Sequence, residues 1–321
     1  MLKLLLVLVL GVFIVGAISP VAIIALDAPS APPAMASMAA QAETAGPDYP
    51  APRQFRARDG TSLQYYAYPA DARMTAVLVH GSAGPGTSMH ALAEALHDAG
   101  IAAYVLDIRG HGGSGRRGDI DYVGQLDDDL ADFVAQLGPL RSGETRTLIG
   151  FSAGAGFALR FAGGPHGGLF DRYVFLAPIL PGAPTLRPNA GGWTNIAIPR
   201  LVTIATLGRF GIHWFDGLPV ISYAIAPDRA QAMTGSYSFR LMANFGAGQQ
   251  HRTYLANIRR PAIVLVGDAD EQVVAEQYAP LFAQVGVNIP VTVLPGLMHT
   301  DMIHRPEAFE AVIRTMISKT S

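Results

Sequence analysis

The chain has 321 residues, with 23 Lys+Arg against 25 Asp+Glu for a net charge of −2; half of its residues are hydrophobic, 15% are charged and none is cysteine. Such a length allows one large domain or two ordinary ones, each with a substantial core. Near-balanced charge without a basic stripe excludes a nucleic-acid partner, and the lack of cysteine excludes disulfides, thiolate metal sites and a lipid-modified cysteine anchor.

The first element is apolar. From Leu4 to Leu26 no residue carries a charge, with Lys3 before the run and Asp27 after it. As a helix it would reach roughly 34 Å, enough to cross a bilayer core. The positive-inside rule then predicts an inner-membrane anchor over residues 1–27 with the catalytic body exported and the membrane as a partner. The alternative is a cleaved signal peptide and a secreted or periplasmic chain, since Ala34-Met35-Ala36 and Ala40-Gln41-Ala42 resemble cleavage sites. Residues 28–52, rich in Ala, Pro and Met, read as a linker.

From residue 53 strand and helix signals alternate. QFRARDGTSLQYYAY has Asp59-Gly60 between alternating runs and predicts a β-hairpin. Strands are expected at 76–80, 102–107, 146–150 and 173–177. Amphipathic helices are expected between them, among them 122–138 with Leu126, Leu130, Phe133 and Val134 on one face. The run Asp127-Asp128-Asp129 reads as its solvated face. After an interruption at about 178–258, strands at 262–267 and 291–295 and helices near 272–285 and 306–318 complete the pattern. The expectation is an α/β domain over 53–321, with a mostly parallel sheet, an antiparallel hairpin at its start and a helical cap insertion.

In an open parallel sheet, sites form beyond the carboxyl ends of strands. LIGFSAGAGF, residues 148–157, carries G-x-S-x-G directly after a strand, a match that composition alone produces with a chance of roughly one in six. Asp268 and Asp270 follow one later strand and His299 the next, so the order is Ser…Asp…His, that of an α/β-hydrolase. A serine hydroxyl becomes a nucleophile when an imidazole takes its proton, and a carboxylate orients that imidazole. Oxyanion donors are expected from the N–H groups of Ser82, after His80-Gly81, and Ala153, at a helix start.

The stretch DIRGHGGSGRRGDIDYVGQLDDDLADFV, residues 107–134, with HG at 80–81 and the G-x-S-x-G turn, resembles the monoglyceride lipase/lysophospholipase-like branch of serine α/β-hydrolases, also described as serine aminopeptidase-like. The resemblance covers residues 54–178 and 258–316. It implies Ser152 as nucleophile, Asp270 as the acid, by the family spacing G-x-x-D, and His299 as base, with the Ser82 and Ala153 amides as oxyanion hole. It implies no cofactor and no metal. Two departures stand out: the family's G-H-S-M-G elbow is G-F-S-A-G here, and residues 178–258 match nothing.

Those residues bring Trp193, Trp214 and Phe215 to a Gly-interrupted segment, which reads as a lid with an apolar inner face. Its only acids are Asp216 and Asp228, few for binding the α-ammonium of a peptide. The expected function is therefore a serine ester hydrolase of carboxylesterase, lysophospholipase or monoacylglycerol lipase type, acting on a small, lipid-like ester. An exported aminopeptidase or amidase of the same fold and a non-catalytic binding protein are the alternatives.

Overall fold

A computed structural model describes residues 19–35, 49–71 and 73–318. Residues 19–26 are helical (α1). β1 (Arg53–Arg56) and β2 (Ser62–Tyr68) form the antiparallel hairpin, with Asp59 Oδ1 accepting the Thr61 N–H at 2.9 Å in its turn. There follow β3 (Met74–Val79), α2 (His90–Asp98), β4 (Ala102–Leu106), α3 (Gln125–Leu137), β5 (Thr145–Phe151), α4 (Ala153–Ala162) and β6 (Arg172–Leu176). Between β6 and the next main-sheet strand lie β7 (Thr194–Ile196), α5 (Ile198–Arg209), β8 (Pro219–Tyr223), β9 (Ser236–Ser238), α6 (Phe239–Asn244) and α7 (His251–Asn257), referred to below as the cap. β10 (Ala262–Gly267), α8 (Tyr278–Val285), β11 (Val291–Leu294) and α9 (Pro306–Ile317) close the chain.

The main sheet has eight strands in the order β1-β2-β4-β3-β5-β6-β10-β11, parallel from β4 onward. Its central strands are apolar throughout because both faces are covered. Val77, Leu78, Leu148, Ile149, Val174 and Phe175 are all fully buried, each such side chain contributing roughly 2 kcal/mol by leaving water. The three aspartates of α3 differ from the expected solvated face. Asp127 pairs with Arg160, Asp128 with Arg58, and Asp129 is buried against Arg109 through bonds of 2.8 and 2.7 Å.

The structure corrects the reading of the N-terminus. Residues 1–18 and 36–48 lie outside the described residues, but the last third of the apolar run, residues 19–26, is helical and reaches the cap through Ile24. Ile24 is 3% exposed and packs with Ile204 of α5 and Val220 of β8. Asp27 Oδ2 accepts the Arg200 N–H at 2.9 Å in the first turn of α5. Asn195 Nδ2 donates to the Ser30 carbonyl at 2.8 Å, and Ser222 Oγ to that of Pro29 at 3.2 Å. Among the described residues no helix is long and apolar enough to cross a membrane. The inner-membrane anchor with an exported catalytic domain is therefore not sustained. Its secreted or periplasmic alternative fails as well, since cleavage at the expected sites would strip away side chains that complete the cap. The membrane as a partner through this segment falls with them.

The cap departs from the helical insertion expected, since it holds a three-stranded antiparallel sheet in the order β7-β8-β9. Of the aromatic residues assigned to its inner face, Trp193 is buried, Phe215 is half-buried, and Trp214 is 86% exposed to solvent.

Candidate active site

β5 runs straight into Ser152, whose φ of 57° and ψ of −119° place a non-glycine residue in a strained turn. The turn is held from several sides. The Ser152 N–H donates to the Leu176 carbonyl at 2.9 Å, and its own carbonyl accepts from Gly156 and Ile179 at 3.0 and 3.1 Å. The surrounding glycines are sterically required: a β-carbon at Gly150 would lie 2.3 Å from the Gly154 carbonyl oxygen, and one at Gly154 would lie 2.2 Å from that of His80. Small residues thus let α4 press against the loop after β3.

The three residues implied as nucleophile, base and acid meet in one hydrogen-bonded line. His299 Nε2 lies 2.9 Å from Ser152 Oγ, and His299 Nδ1 lies 2.7 Å from Asp270 Oδ2. A carboxylate only accepts, so Nδ1 carries the proton and Nε2 presents its lone pair to the serine hydroxyl. The other oxygen of Asp270 accepts the N–H groups of Gln272 and Val273 at 2.8 and 2.9 Å, which fixes the carboxylate. All three side chains are nearly or fully buried beneath the cap. Asp268 is elsewhere: its Oδ1 accepts the Gly296 N–H at 2.7 Å and ties the turns after β10 and β11 together.

The Ser82 and Ala153 N–H groups have no hydrogen-bond partner among the described residues. They belong to the turns after β3 and β5, which touch: a β-carbon on Gly81 would meet Ser152 Cβ at 3.1 Å.

The stretch that opens at Asp107 braces these loops. Asp107 accepts from the backbone N–H of Gly86 and of Gly113 at 2.6 and 2.9 Å. His80 Nδ1 lies 2.7 Å from the Gly81 carbonyl, and its Nε2 accepts the Ile108 N–H at 3.2 Å. His80 and His111 meet edge to face, with centroids 4.8 Å apart. Burial pushes both imidazoles below the usual histidine range and keeps them neutral.

Several participants were not visible in the sequence. Glu271 Oε2 accepts the His299 N–H at 3.0 Å, and from the cap Trp193 Nε1 donates to Ser82 Oγ at 2.8 Å. Tyr237 Oη lies 2.6 Å from His111 Nε2. These partners are 28, 111 and 126 positions apart, beyond any local spacing signal.

Known proteins agree with this architecture. A monoacylglycerol lipase from Mycolicibacterium smegmatis is 27% identical over 255 residues, which cover 74% of this chain and 84% of that one. The crystal structure of Paleococcus ferrophilus monoacylglycerol lipase superposes with a TM-score of 0.59 at 23% identity, covering 79% of this chain and 96% of the other. A soluble variant of monoglyceride lipase from Saccharomyces cerevisiae, in complex with a substrate analog, gives 0.62 at 18% identity over 86% and 96% of the two chains. At these identities the structural likeness establishes the α/β-hydrolase fold. The family model Hydrolase_4 (serine aminopeptidase, S33) matches residues 70–305, well over half of the chain, which therefore belongs to that family.

Proposed function

We propose that the chain is a serine ester hydrolase of carboxylesterase, lysophospholipase or monoacylglycerol lipase type, working through Ser152, His299, Asp270 and an acyl-enzyme. The observation that carries this reading is the unbroken line from Asp270 Oδ2 through the His299 ring to Ser152 Oγ, with separations of 2.7 and 2.9 Å. In this reading Ser152 Oγ attacks the ester carbonyl as His299 Nε2 takes its proton. The imidazolium forms against Asp270, and the carbonyl oxygen, now negative, meets the Ser82 and Ala153 N–H groups. His299 returns the proton to the leaving alkoxide, and water repeats the sequence on the acyl-enzyme.

The substrate class is read from the small cleft beside Trp193, which reaches the site through the Trp193–Ser82 bond and is bordered by none of Ser152, His299 or Asp270. Met35, Trp193, Ala224, Ile225, Ala226 and Met233 line it, with Arg229 among them and no carboxylate. An apolar wall suits the acyl or alkyl part of a lipid-like ester. An aminopeptidase needs an anion for the substrate's α-ammonium group, and a lone guanidinium repels one. Ser152 is 3% exposed, so an ester reaches it only when the cap gives way.

A fluorophosphonate probe at neutral pH should label Ser152, and Ser152→Ala should lose p-nitrophenyl butyrate hydrolysis by about four orders of magnitude or more. Undiminished turnover by that variant overturns the assignment. Assaying acyl esters of graded length beside aminoacyl amides tests the bond type; faster amide turnover would establish a peptidase.

A further inference from the structure

At Ser82 and Ala83 the loop after β3 is held by the cap. Ala83 is fully buried with φ of 64°, in the left-handed region that a residue with a β-carbon adopts only under constraint. Both of its main-chain polar groups end on cap residues. Its N–H donates to Tyr237 Oη at 2.5 Å, and its carbonyl accepts the Thr234 N–H at 2.8 Å. The neighbouring Ser82 hydroxyl oxygen accepts the Trp193 indole N–H. Three cap residues therefore fasten two consecutive residues of this loop.

The hydrogens can be assigned around Tyr237. His111 Nδ1 lies 3.2 Å from the Ile108 carbonyl, which can only accept, so Nδ1 carries the proton and Nε2 is an acceptor. The Tyr237 hydroxyl donates to that Nε2, which leaves an oxygen lone pair for the Ala83 N–H. Tyr223 and Tyr237 stack edge to face with centroids 4.7 Å apart, on the adjacent strands β8 and β9. The phenol is fixed in direction by His111 on the core side, and its ring packs on Tyr223 on the cap side. With the Ala83 N–H engaged there, the adjacent Ser82 N–H has no partner among the described residues, and its neighbour Gly81 lies against Ser152.

We propose that Tyr237 is a positioning residue: its hydroxyl, directed by His111, holds Ala83 in the left-handed turn that points the Ser82 N–H at the ester carbonyl oxygen on Ser152. This rests on the reading of Ser152 as nucleophile given above. Half of the oxyanion hole is then assembled by the cap, and a cap out of place leaves the hole unformed although Ser152, His299 and Asp270 stay aligned. Tyr237 acts on the transition state and touches neither the acyl chain nor the proton-transfer line.

The test is Tyr237→Phe, which keeps the ring and removes the hydroxyl. Loss of a single oxyanion donor lowers kcat by about 10²–10³-fold, and misdirecting one should lower it by roughly 10- to 100-fold with KM within about threefold. The inhibition constant of an alkyl boronic acid, whose serine adduct places an oxygen in the hole, should rise by the same factor, while the pH profile of kcat keeps its shape. Ala83→Gly in the Tyr237→Phe background should recover part of the kcat, because glycine adopts the left-handed turn without support. A kcat within twofold of the unsubstituted enzyme overturns the proposal, as does a fall in kcat with boronic acid affinity retained, or no recovery in the double variant. Should Tyr237→Phe not fold, His111→Gln displaces the acceptor that directs the same hydroxyl. It should show a fall of several-fold with the same split between kcat and KM, and unchanged kcat and boronic acid affinity overturn the proposal. Failure of the unsubstituted enzyme to take up fluorophosphonate at Ser152 would instead refute the underlying assignment.

Discussion

At the scale of single residues, the strain at Ser152 and the constraint at Ala83 have the same origin. Each holds a β-carbon at positive φ, and each is locked by backbone bonds to a different element, β6 for the first and the cap for the second. The two aspartates after β10 show how a two-residue difference decides a role. Asp270 reaches the imidazole, whereas Asp268 reaches only the Gly296 N–H. Asp270→Asn should therefore lower kcat by about 10⁴-fold, as expected when the imidazole loses its orienting anion, while Asp268→Asn should stay within about tenfold. Steady-state kinetics on p-nitrophenyl butyrate separates them, and a larger loss for Asp268→Asn would reverse the assignment. Ser152, Asp270 and His299 could be proposed from the sequence because each lies in the turn after a strand and their chain order is informative. Trp193 was read only as apolar lid surface and Tyr237 was not singled out, since an indole or phenol reveals its hydrogen-bond partner only once the cap has folded. The aspartates of α3 were misread for a related reason: their arginine partners come from three other parts of the chain.

At the scale of elements, the strands of the main sheet were legible because burial on both faces leaves a continuous apolar signature. The cap strands β7 and β9 have three residues each, too few to show alternation, so only an interruption was visible there. The N-terminal run was misassigned because hydropathy measures the need to leave water and does not say whether lipid or protein supplies the shelter. In α1 protein shelters Ile24, which packs with Ile204 and Val220, and Asp27 satisfies the first turn of α5, while Val21, Ile23 and Leu26 stay exposed. Ile24→Ala should cost about 2 kcal/mol of stability, the low end for a buried isoleucine because the cluster is small. Hydrogen exchange should show the loss concentrated in α5 and β8. An unchanged melting temperature and unchanged protection of those elements would mean that the segment does not stabilise the cap.

For the whole molecule, buried neutral histidines set an acid limit. His80 and His111 have folded-state pKa values below the ordinary 6.5, so below that pH the unfolded chain binds more protons than the folded one. Stability contributed this way is intact above pH 6.5 and is lost as the pH falls toward the depressed values. Each histidine thereby withdraws stability as the pH falls below 6.5. Urea unfolding at a series of falling pH values should show the decline, and His111→Gln should show a shallower one; equal slopes would mean that His111 takes up no proton on unfolding. The overall fold class followed from the sequence, but the strand order did not. That β3 lies between β4 and β5, with the hairpin beyond β4, depends on crossovers that no local pattern encodes.

Met35 lines the same cleft as Trp193, and residues 19–35 that lead to it are fastened to the cap. A side chain held this way is an intramolecular ligand whose effective concentration is in the range of millimolar or above. On the proposed function, an acyl chain taking this cleft would first displace the thioether, so the affinity measured for short apolar ligands would be an exchange affinity, weaker than the bare wall would give. Chains long enough to cover the wall that Met35 leaves would regain the difference. Occupancy of the cleft would thereby be biased toward longer substrates by competition, without any contact that measures length.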